Sequence, residues 1–256
     1  MTWLDIDLSL IAPALLAGAL VLATHVPLGH EVLKRGIIFI DLAIAQIAAL
    51  GVIAAIVFGG ELAGWQVQLF AGISAIVGAL LIYWLEQRHQ ESLEAIIGIL
   101  FVLAASGGLI LVSYAPHSDE LLHDLLVGQI LWVNSQQLLW IAALYIPLLM
   151  LWFSNKSKHP IFFYLIFSLT VTASVQLVGI YLVFASLILP ALACRHITQE
   201  NKRLALAYGI GLLGYILGLC ASLLFDLPTG AIIVWTLLLA SLLFHAFLKQ
   251  RENLLK

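Results

Sequence analysis

The stretch IIFIDLAIAQIAALGVIAAIVF, residues 37–58, contains one charged side chain, Asp41, and apart from Gln46 is otherwise apolar. A helix crosses the hydrocarbon core of a bilayer with about 20 predominantly apolar residues, so this stretch predicts a transmembrane helix. Similar stretches occupy most of the remaining sequence and predict further spans. They lie at roughly 8–28, 64–85, 93–114, 136–153, 160–178, 179–194, 204–224 and 231–248.

The number of spans depends on the segment from Pro160 to Cys194. Its two apolar stretches are short and meet at Gly179. The segment is interpreted either as a hairpin of two spans or as one broken helix. The predicted fold is therefore all-α, a polytopic transmembrane helical bundle of eight or nine spans.

The composition excludes a soluble globule. Of the 256 residues, 63% are hydrophobic and 10% are charged, and the mean hydropathy is +1.10. Such a chain cannot cover a folded surface with polar groups, so it needs lipid as its solvent. Because the spans use nearly all of the chain, we expect a single transmembrane domain over residues 1–256 and no soluble catalytic domain. The net charge of -3 and the lack of a basic stripe argue against nucleic acid as a partner.

The basic residues predict the orientation, because short cytoplasmic loops collect Lys and Arg. With nine spans and the N-terminus outside, all 11 Lys and Arg residues fall inside. We therefore expect an N-out, C-in, multi-pass protein of a bacterial inner (cytoplasmic) membrane, with an uncleaved first span. The inner charges are Lys34, Arg35, Arg88, Lys156, Lys158, Arg195, Lys202, Arg203, Lys249, Arg251 and Lys256, and the outer connections carry Glu61, Asp119, Glu120, Asp124 and Asp226.

Asp41 is the leading candidate for a functional residue, because an ionisable group inside the membrane is costly and marks a pathway by default. Counted along a continuous helix from Arg35, Asp41 lies about 9 Å and Gln46 about 16 Å into the membrane. A cation pathway is one interpretation of Asp41. The other is structural: its carboxyl group caps or hydrogen-bonds a neighbouring helix, or is simply neutral there.

Histidines and an acidic loop supply further candidate ligands. His25 lies near the cytoplasmic end of the first span and is either a metal ligand or a hydrogen-bonded partner of another helix. The outer loop between the fourth and fifth spans combines residue types that attract divalent cations, although a solvated acidic loop has the same composition. Its candidates are His117, Asp119, Glu120, His123 and Asp124, and a short re-entrant or interfacial helix is expected at Leu125–Val133.

Motifs of common enzymes are missing from the sequence. It contains no GxxxxGK[ST] phosphate-binding loop, no HExxH and no GxSxG. Cys194 and Cys220 lie in apolar segments and are interpreted as small hydrophobic residues. We expect no enzymatic activity in the chain itself.

Several stretches resemble the permease subunits of bacterial zinc/manganese ABC importers. They are VPLGHEVLKR (Val26–Arg35), FIDLAIAQIAALG (Phe39–Gly51), IIGILF within Leu93–Ser113, VGIYLVFASLILPALACR (Val178–Arg195) and FDLPTGAIIV (Phe225–Val234). The fourth is similar to the family's VG...LLxxPAATAR and the fifth to its YxDxPxGPxIV. These motifs place structural roles on Pro27, Gly29, Arg35, Gly51, Gly179, Pro190, Arg195, Asp226, Pro228 and Gly230.

The resemblance implies a homodimeric, lipid-embedded channel served by a separate ATP-binding subunit and by an extracytoplasmic metal-binding protein. A divalent metal ion would be the transported substrate, and no tightly bound cofactor is implied. In the family, the pathway motif GDxLxH places an Asp and a His four residues apart on one helix face. Here Asp41 matches that Asp in its distance from the preceding arginine.

Two departures from the family pattern bear on function. The position expected to hold His is Gln46, which lies about 140° around a regular helix from Asp41 unless a π-bulge intervenes. An amide and a carboxylate favour harder cations than zinc. In addition, the family carries a longer inner segment with an ATPase-docking helix between the fifth and sixth spans, where this chain has only SNKSKH, Ser154–His159.

Three functions follow from these observations. The first is the membrane subunit of a metal-ion ABC transporter, in which Glu86–Ser92 or His196–Arg203 takes over ATPase docking. The second is an ATP-independent cation transporter or channel with the same fold, suggested by the short loop. The third is a non-transporting assembly or receptor subunit, suggested by the small loops and by the glycine face at Gly211, Gly214 and Gly218.

Overall fold

The computed structural model describes residues 8–59, 64–113, 130–154 and 159–254, and these residues form a bundle of α-helices. Short 3₁₀ turns at Gln90–Ser92 and Ile130–Trp132 precede two of the helices. The helices are α1 (Leu8–Arg35), α2 (Ile40–Gly59), α3 (Gly64–Glu86), α4 (Leu93–Val112), α5 (Ser135–Phe153), α6 (Pro160–Val178), α7 (Ile180–Ala193), α8 (Glu200–Phe225) and α9 (Thr229–Leu254).

Eight of these helices are long and apolar enough to cross a membrane, which confirms the predicted fold class. The ninth, α7, is apolar but has only 14 residues, about 21 Å of helix against a hydrocarbon core of about 30 Å. Gly179 alone joins α6 to α7, with a φ of 82°. The segment is therefore two helices separated by a single glycine, as the two short apolar stretches predicted.

The contacts between helices define two groups. In the first, α2 packs against α3, α4 and α6, and α3 also packs against α6. In the second, α1 packs against α7 and α8, while α9 packs against α7 and α8. Helix α5 lies at the periphery against α1 and α6. The core is thus built around α1, α2, α6 and α7, whose side chains are buried along much of their length.

Glycines allow the closest approaches between helices. A Cβ atom on Gly29 would overlap the main-chain oxygen of Leu187, which brings α1 against α7. A Cβ atom on Gly214 would overlap the Leu237 side chain of α9, and one on Gly218 would overlap Ile233 of the same helix. The glycine face of α8 is therefore occupied within the chain. That packing removes one of the two observations that had suggested a receptor or assembly subunit.

The ends of α1, α3 and α5 and the start of α8 lie on one side of the bundle, which we call the basic face after Lys34, Arg35 and Arg203. Arg35 at the end of α1 bonds Glu86 at the end of α3, and Glu94 at the start of α4 bonds the main chain of Phe39 before α2. The opposite side is called the outer face. The prediction that the basic face is cytoplasmic stays a prediction.

We predict that Gly29→Ala and Gly209→Ala change stability in opposite directions. The first should destabilise the fold by about 1–3 kcal/mol, because the added methyl group overlaps a main-chain atom of α7. The second adds a methyl group into open space and should stabilise by up to about 1 kcal/mol through helix propensity. Thermal unfolding of the purified protein in detergent measures both. Equal effects would contradict the α1–α7 contact.

Candidate functional site

Asp41 is the second residue of α2 and not a residue deep in a continuous helix. α1 ends at Arg35, and Gly36, with a φ of 71°, reverses the chain so that α2 begins at Ile40. The distances counted along one helix from Arg35 were therefore wrong, because a glycine stop separates the two helices. The signal was in the sequence, where two basic residues in the last turn are followed by Gly36.

The carboxyl group of Asp41 is buried without a partner. Its side chain is 1% exposed, and neither of its oxygens accepts a hydrogen bond within the described residues. The interpretation in which Asp41 bonds a neighbouring helix thus finds no partner there. Since burying an unpaired carboxyl group destabilises a fold by several kcal/mol, its presence requires another reason.

Two other carboxylates on the basic face, Glu31 and Glu86, are paired. Arg35 Nε bonds Glu31 Oε1 at 2.9 Å, and Arg35 Nη1 bonds Glu86 Oε1 at 3.4 Å. The guanidinium group also lies 4.4 Å from the centre of the Phe163 ring. Arg35 therefore neutralises two acids and ties α1 to α3 and α6, while Asp41 is left outside this network.

Gln46 does not join Asp41 on one face. Helix α2 is α-helical from Ile40 to Gly59 without a π-bulge, so the two side chains stay about 140° apart. Gln46 is half-buried. Its place in a pathway stays a prediction that does not depend on sharing a cation with Asp41.

His25 is fully buried in α1, and its two ring nitrogens differ in their surroundings. Nδ1 lies 2.9 Å from the carbonyl oxygen of Val21 and 3.1 Å from Thr24 Oγ1. Because a carbonyl only accepts, Nδ1 carries the proton and Nε2 is left with a lone pair and no partner. Within the described residues, no group of three or more His, Cys, Asp or Glu side chains could hold a metal ion. His25 is a possible single ligand and not part of a closed metal centre.

The predicted outer-loop site lies outside the described residues. That holds for each of its candidates, His117, Asp119, Glu120, His123 and Asp124. Of the predicted Leu125–Val133 helix, only residues 130–133 are among the described residues. They include a 3₁₀ turn at Ile130–Trp132.

The residues in family-like motifs lie mainly at joints between helices. Gly51 approaches Ser74 of α3, and Asp226 ends α8 in the left-handed conformation with a φ of 51°. Arg195 Nε lies 3.1 Å from His196 Nε2, just after α7. The others are Pro27 and Gly29 inside α1, Arg35 at its end, Gly179 between α6 and α7, Pro190 inside α7, Pro228 before α9 and Gly230 in its first turn.

A polar stripe on α6 is a feature that the sequence analysis missed. Tyr164, Ser168, Thr172 and Gln176 follow at intervals of four residues, which places them along one side of the helix. The Tyr164 ring packs 5.7 Å from that of Tyr83, beside Arg35, and Thr172 is buried with its hydroxyl unpaired. The four-residue spacing of polar groups within an apolar stretch was the signal that could have identified it.

Two cavities adjoin the outer end of this stripe. The larger, of 740 Å³, opens on the outer face between α3, α5 and α6 and includes Gln68, Trp140 and Gln176. The smaller, of 20 Å³, has room for about one water molecule and shares Gln176 with the first. It is lined by Thr172 and by Ala45, Ala48 and Val52 of α2.

The α2 wall of the small cavity continues to Asp41. Ala45, Ala48 and Val52 lie four, seven and eleven residues after Asp41, so all four share one face of α2. We call the contact between this face and the polar stripe the α2–α6 seam. It runs from the outer cavity at Gln176 to the unpaired carboxyl group at the basic face.

Neither cysteine lines the two cavities of the seam. Both are free, Cys194 being buried and Cys220 half-buried. The burial of Cys194 agrees with its interpretation as a small hydrophobic residue.

Comparison with known proteins places this arrangement in a family. The model of the family described as "ABC 3 transport family" matches residues 7–159 and 155–250. The chain belongs to the ABC 3 transport family. It is thus a membrane subunit of an ABC transporter, which confirms the resemblance found in its motifs.

Relatives of this ABC 3 protein include named metal transport subunits. The manganese transport system membrane protein MntC of Listeria monocytogenes is 30% identical over 246 residues, covering 86% of this chain and 84% of that protein. The high-affinity zinc uptake system membrane protein ZnuB of Haemophilus influenzae is 25% identical, covering 94% and 98%. The solved structure of PsaBC from Streptococcus pneumoniae in complex with Fab shares the fold, with a TM-score of 0.73, 20% identity and 96% coverage of each chain.

For this ABC 3 protein, we predict that Thr172→Val lowers transport without lowering stability. Valine keeps the shape of threonine and removes an unpaired buried hydroxyl, so stability should stay equal or rise by about 1 kcal/mol. The matched control is Ser186→Ala, which removes a hydroxyl bonded to Tyr215 at 2.9 Å and to Leu182 O at 2.7 Å and should destabilise by about 1 kcal/mol. Thermal unfolding measures the stability of each variant, and cellular metal accumulation measures its transport. Full transport with Thr172→Val would exclude Thr172 from the route.

Proposed function

We propose that this ABC 3 protein forms the translocation pathway of a divalent metal transporter of the manganese or zinc class. The observation that carries the proposal is the buried, unpaired carboxyl group of Asp41. Inside a membrane, such a group is retained where a cation passes or binds. The named functions of the manganese and zinc relatives support the choice of metal ions.

The proposed route follows the α2–α6 seam. A hydrated cation enters the outer cavity, where Gln68 and Gln176 supply neutral oxygen atoms. It then passes the Thr172 hydroxyl and reaches Asp41 at the basic face. The small cavity admits about one water molecule in this conformation, so passage requires α2 and α6 to separate, as alternating access demands.

Partners complete the proposed transporter. The whole chain acts as one transmembrane domain, residues 1–256, in a bacterial inner membrane with its basic face in the cytoplasm. Two copies form the channel, a separate subunit hydrolyses ATP, and an extracytoplasmic protein delivers the metal. The chain itself catalyses no reaction and holds the metal only as a passing substrate. Family membership favours this assembly over an ATP-independent transporter.

The short inner connection requires a different docking surface for the ATPase. α5 ends at Phe153 and α6 begins at Pro160, and the two family matches meet at 155–159. The Listeria alignment covers 246 positions but only 86% of these 256 residues, so that relative has residues without a counterpart here. The junction of the two family matches supports the loss of an inner segment at this position, and the alignment shows that the relative has residues to spare.

A charged cleft on the basic face supplies a docking surface. It has a volume of 190 Å³ between the ends of α1 and α5 and the start of α8. Arg203 contributes a buried Nε without a partner, which is available to an acidic group of the ATPase. The cleft is lined by Pro27, His30, Glu31, Lys34, Trp152, Phe153, Glu200, Arg203 and Leu204. Of the two inner loops considered for docking, this cleft favours His196–Arg203.

Asp41→Asn and Asp41→Ala should abolish metal accumulation at normal protein level, because each removes the only charge on the α2 face of the seam. Elemental analysis for zinc, manganese, iron and magnesium in starved cells lacking the wild-type gene measures the effect. Glu91→Gln, which neutralises an exposed carboxylate before α4, is the matched control and should leave accumulation unchanged. Normal accumulation in both Asp41 variants would refute the route.

Arg203→Glu should reduce the ATPase subunit that co-purifies with this chain by at least about tenfold, which corresponds to about 1.4 kcal/mol. The substitution places a negative charge beside Glu31 and Glu200 in the cleft. Arg88→Glu is the control, because Arg88 lies in the alternative loop, over the ring of Trp84. If Arg88→Glu releases the ATPase and Arg203→Glu does not, docking occurs at Glu86–Ser92.

A further inference from the structure

Two carboxyl groups meet at the turn that precedes α2. Glu94, in the first turn of α4, accepts a hydrogen bond from the main-chain N–H of Phe39 through Oε1, at 3.2 Å. Asp41 follows Phe39 by two residues, so this hydrogen bond holds Glu94 at the start of the helix that carries Asp41. Because α2 and α4 pack together, this proximity is fixed by the fold.

Three oxygen atoms of this pair are buried and unpaired. They are Asp41 Oδ1, Asp41 Oδ2 and Glu94 Oε2, and none has a hydrogen-bond partner in the described residues. The ion pairs among those residues join Glu31 and Glu86 to Arg35 or Lys34 and leave Asp41 and Glu94 unpaired. Buried carboxylate oxygens that lack both a hydrogen-bond partner and a positive charge are unfavourable unless a cation binds them.

We infer that Asp41 and Glu94 together form a subsite for a hard divalent cation, such as Mn²⁺, at the basic end of the α2–α6 seam. The inference rests on the proposed function and deepens it by adding Glu94 as a second ligand. Carboxylate oxygens suit manganese, whereas zinc prefers imidazole and thiolate. Two carboxylates supply fewer than six oxygen ligands, so water completes the coordination.

The two oxygens of Glu94 have separate roles. Oε1 holds the N–H of Phe39 and fixes the turn, while Oε2 is the atom available to the cation. Glu94→Gln keeps a carbonyl oxygen for the turn and removes both the charge and one ligand oxygen. This variant therefore separates a structural role of Glu94 from a ligand role.

Mn²⁺ binding to the purified full-length protein in nanodiscs tests the inference, with the loss of the free Mn²⁺ paramagnetic resonance signal as the measurement. Wild-type protein should bind Mn²⁺, and Glu94→Gln should weaken binding by at least about tenfold, the lower end of what loss of a supporting group costs a metal site. Asp41→Asn should weaken it similarly. The matched control Glu91→Gln neutralises an exposed carboxylate three residues away and should bind as wild type does.

Unchanged Mn²⁺ binding by Glu94→Gln would overturn the subsite, as would wild-type protein that binds no Mn²⁺. Equal unfolding temperatures of wild type and Glu94→Gln show that the turn is intact and that a loss of binding reflects the ligand. The proposed function is judged separately by accumulation in cells. If Asp41→Ala abolishes accumulation while Glu94→Gln leaves both accumulation and binding intact, the subsite fails and the transport function stands.

Discussion

The ion pairs of Arg35 organise the basic face of this protein. One guanidinium group holds Glu31 of its own helix and Glu86 of α3 and lies over the Phe163 ring of α6. Three helices from different parts of the chain are thus joined at one charge. A planar guanidinium group can do this because it presents several donors and a face that stacks on aromatic rings. A lysine at position 35 would lack both the fork and the stacking.

The same network decides which acids are free. Arg35 pairs with Glu31 and Glu86, and it forms no ion pair with Asp41 or Glu94 in the described structure. Removing polar groups from water is favourable only where they find partners, so unpaired buried groups are rare in stable folds. Among the described residues, the unpaired buried groups include Thr172 and Asp41 on the walls of the seam and others outside it, such as His25 and Ser241. Of these, Asp41 is the one acid buried within a membrane-spanning helix.

The spans were predictable because length and apolar content decide membrane insertion within each segment. The stretch 160–178, for example, agrees with α6, Pro160–Val178. Asp41 was also identifiable, since a lone charge in an apolar stretch needs no neighbours to be recognised. The position of Asp41 at the start of a helix was not predictable by counting residues along one helix from Arg35. Gly36 ends α1, and α2 begins four residues later, at Ile40. Glu94 was not identified either, because its partner lies 55 residues earlier in the chain.

In the proposed transporter, the short connection between α5 and α6 bears on how ATP hydrolysis would act on the seam. A docking helix in that segment would act at the start of α6, next to the polar stripe. The cleft formed by α1, α5 and α8 lies on the second group of helices, away from α2. Helices α1 and α5 both line the cleft and both contact α6, so the cleft and the seam share these helices. Arg35 adds a contact from the end of α1 to α3 and to the Phe163 ring of α6.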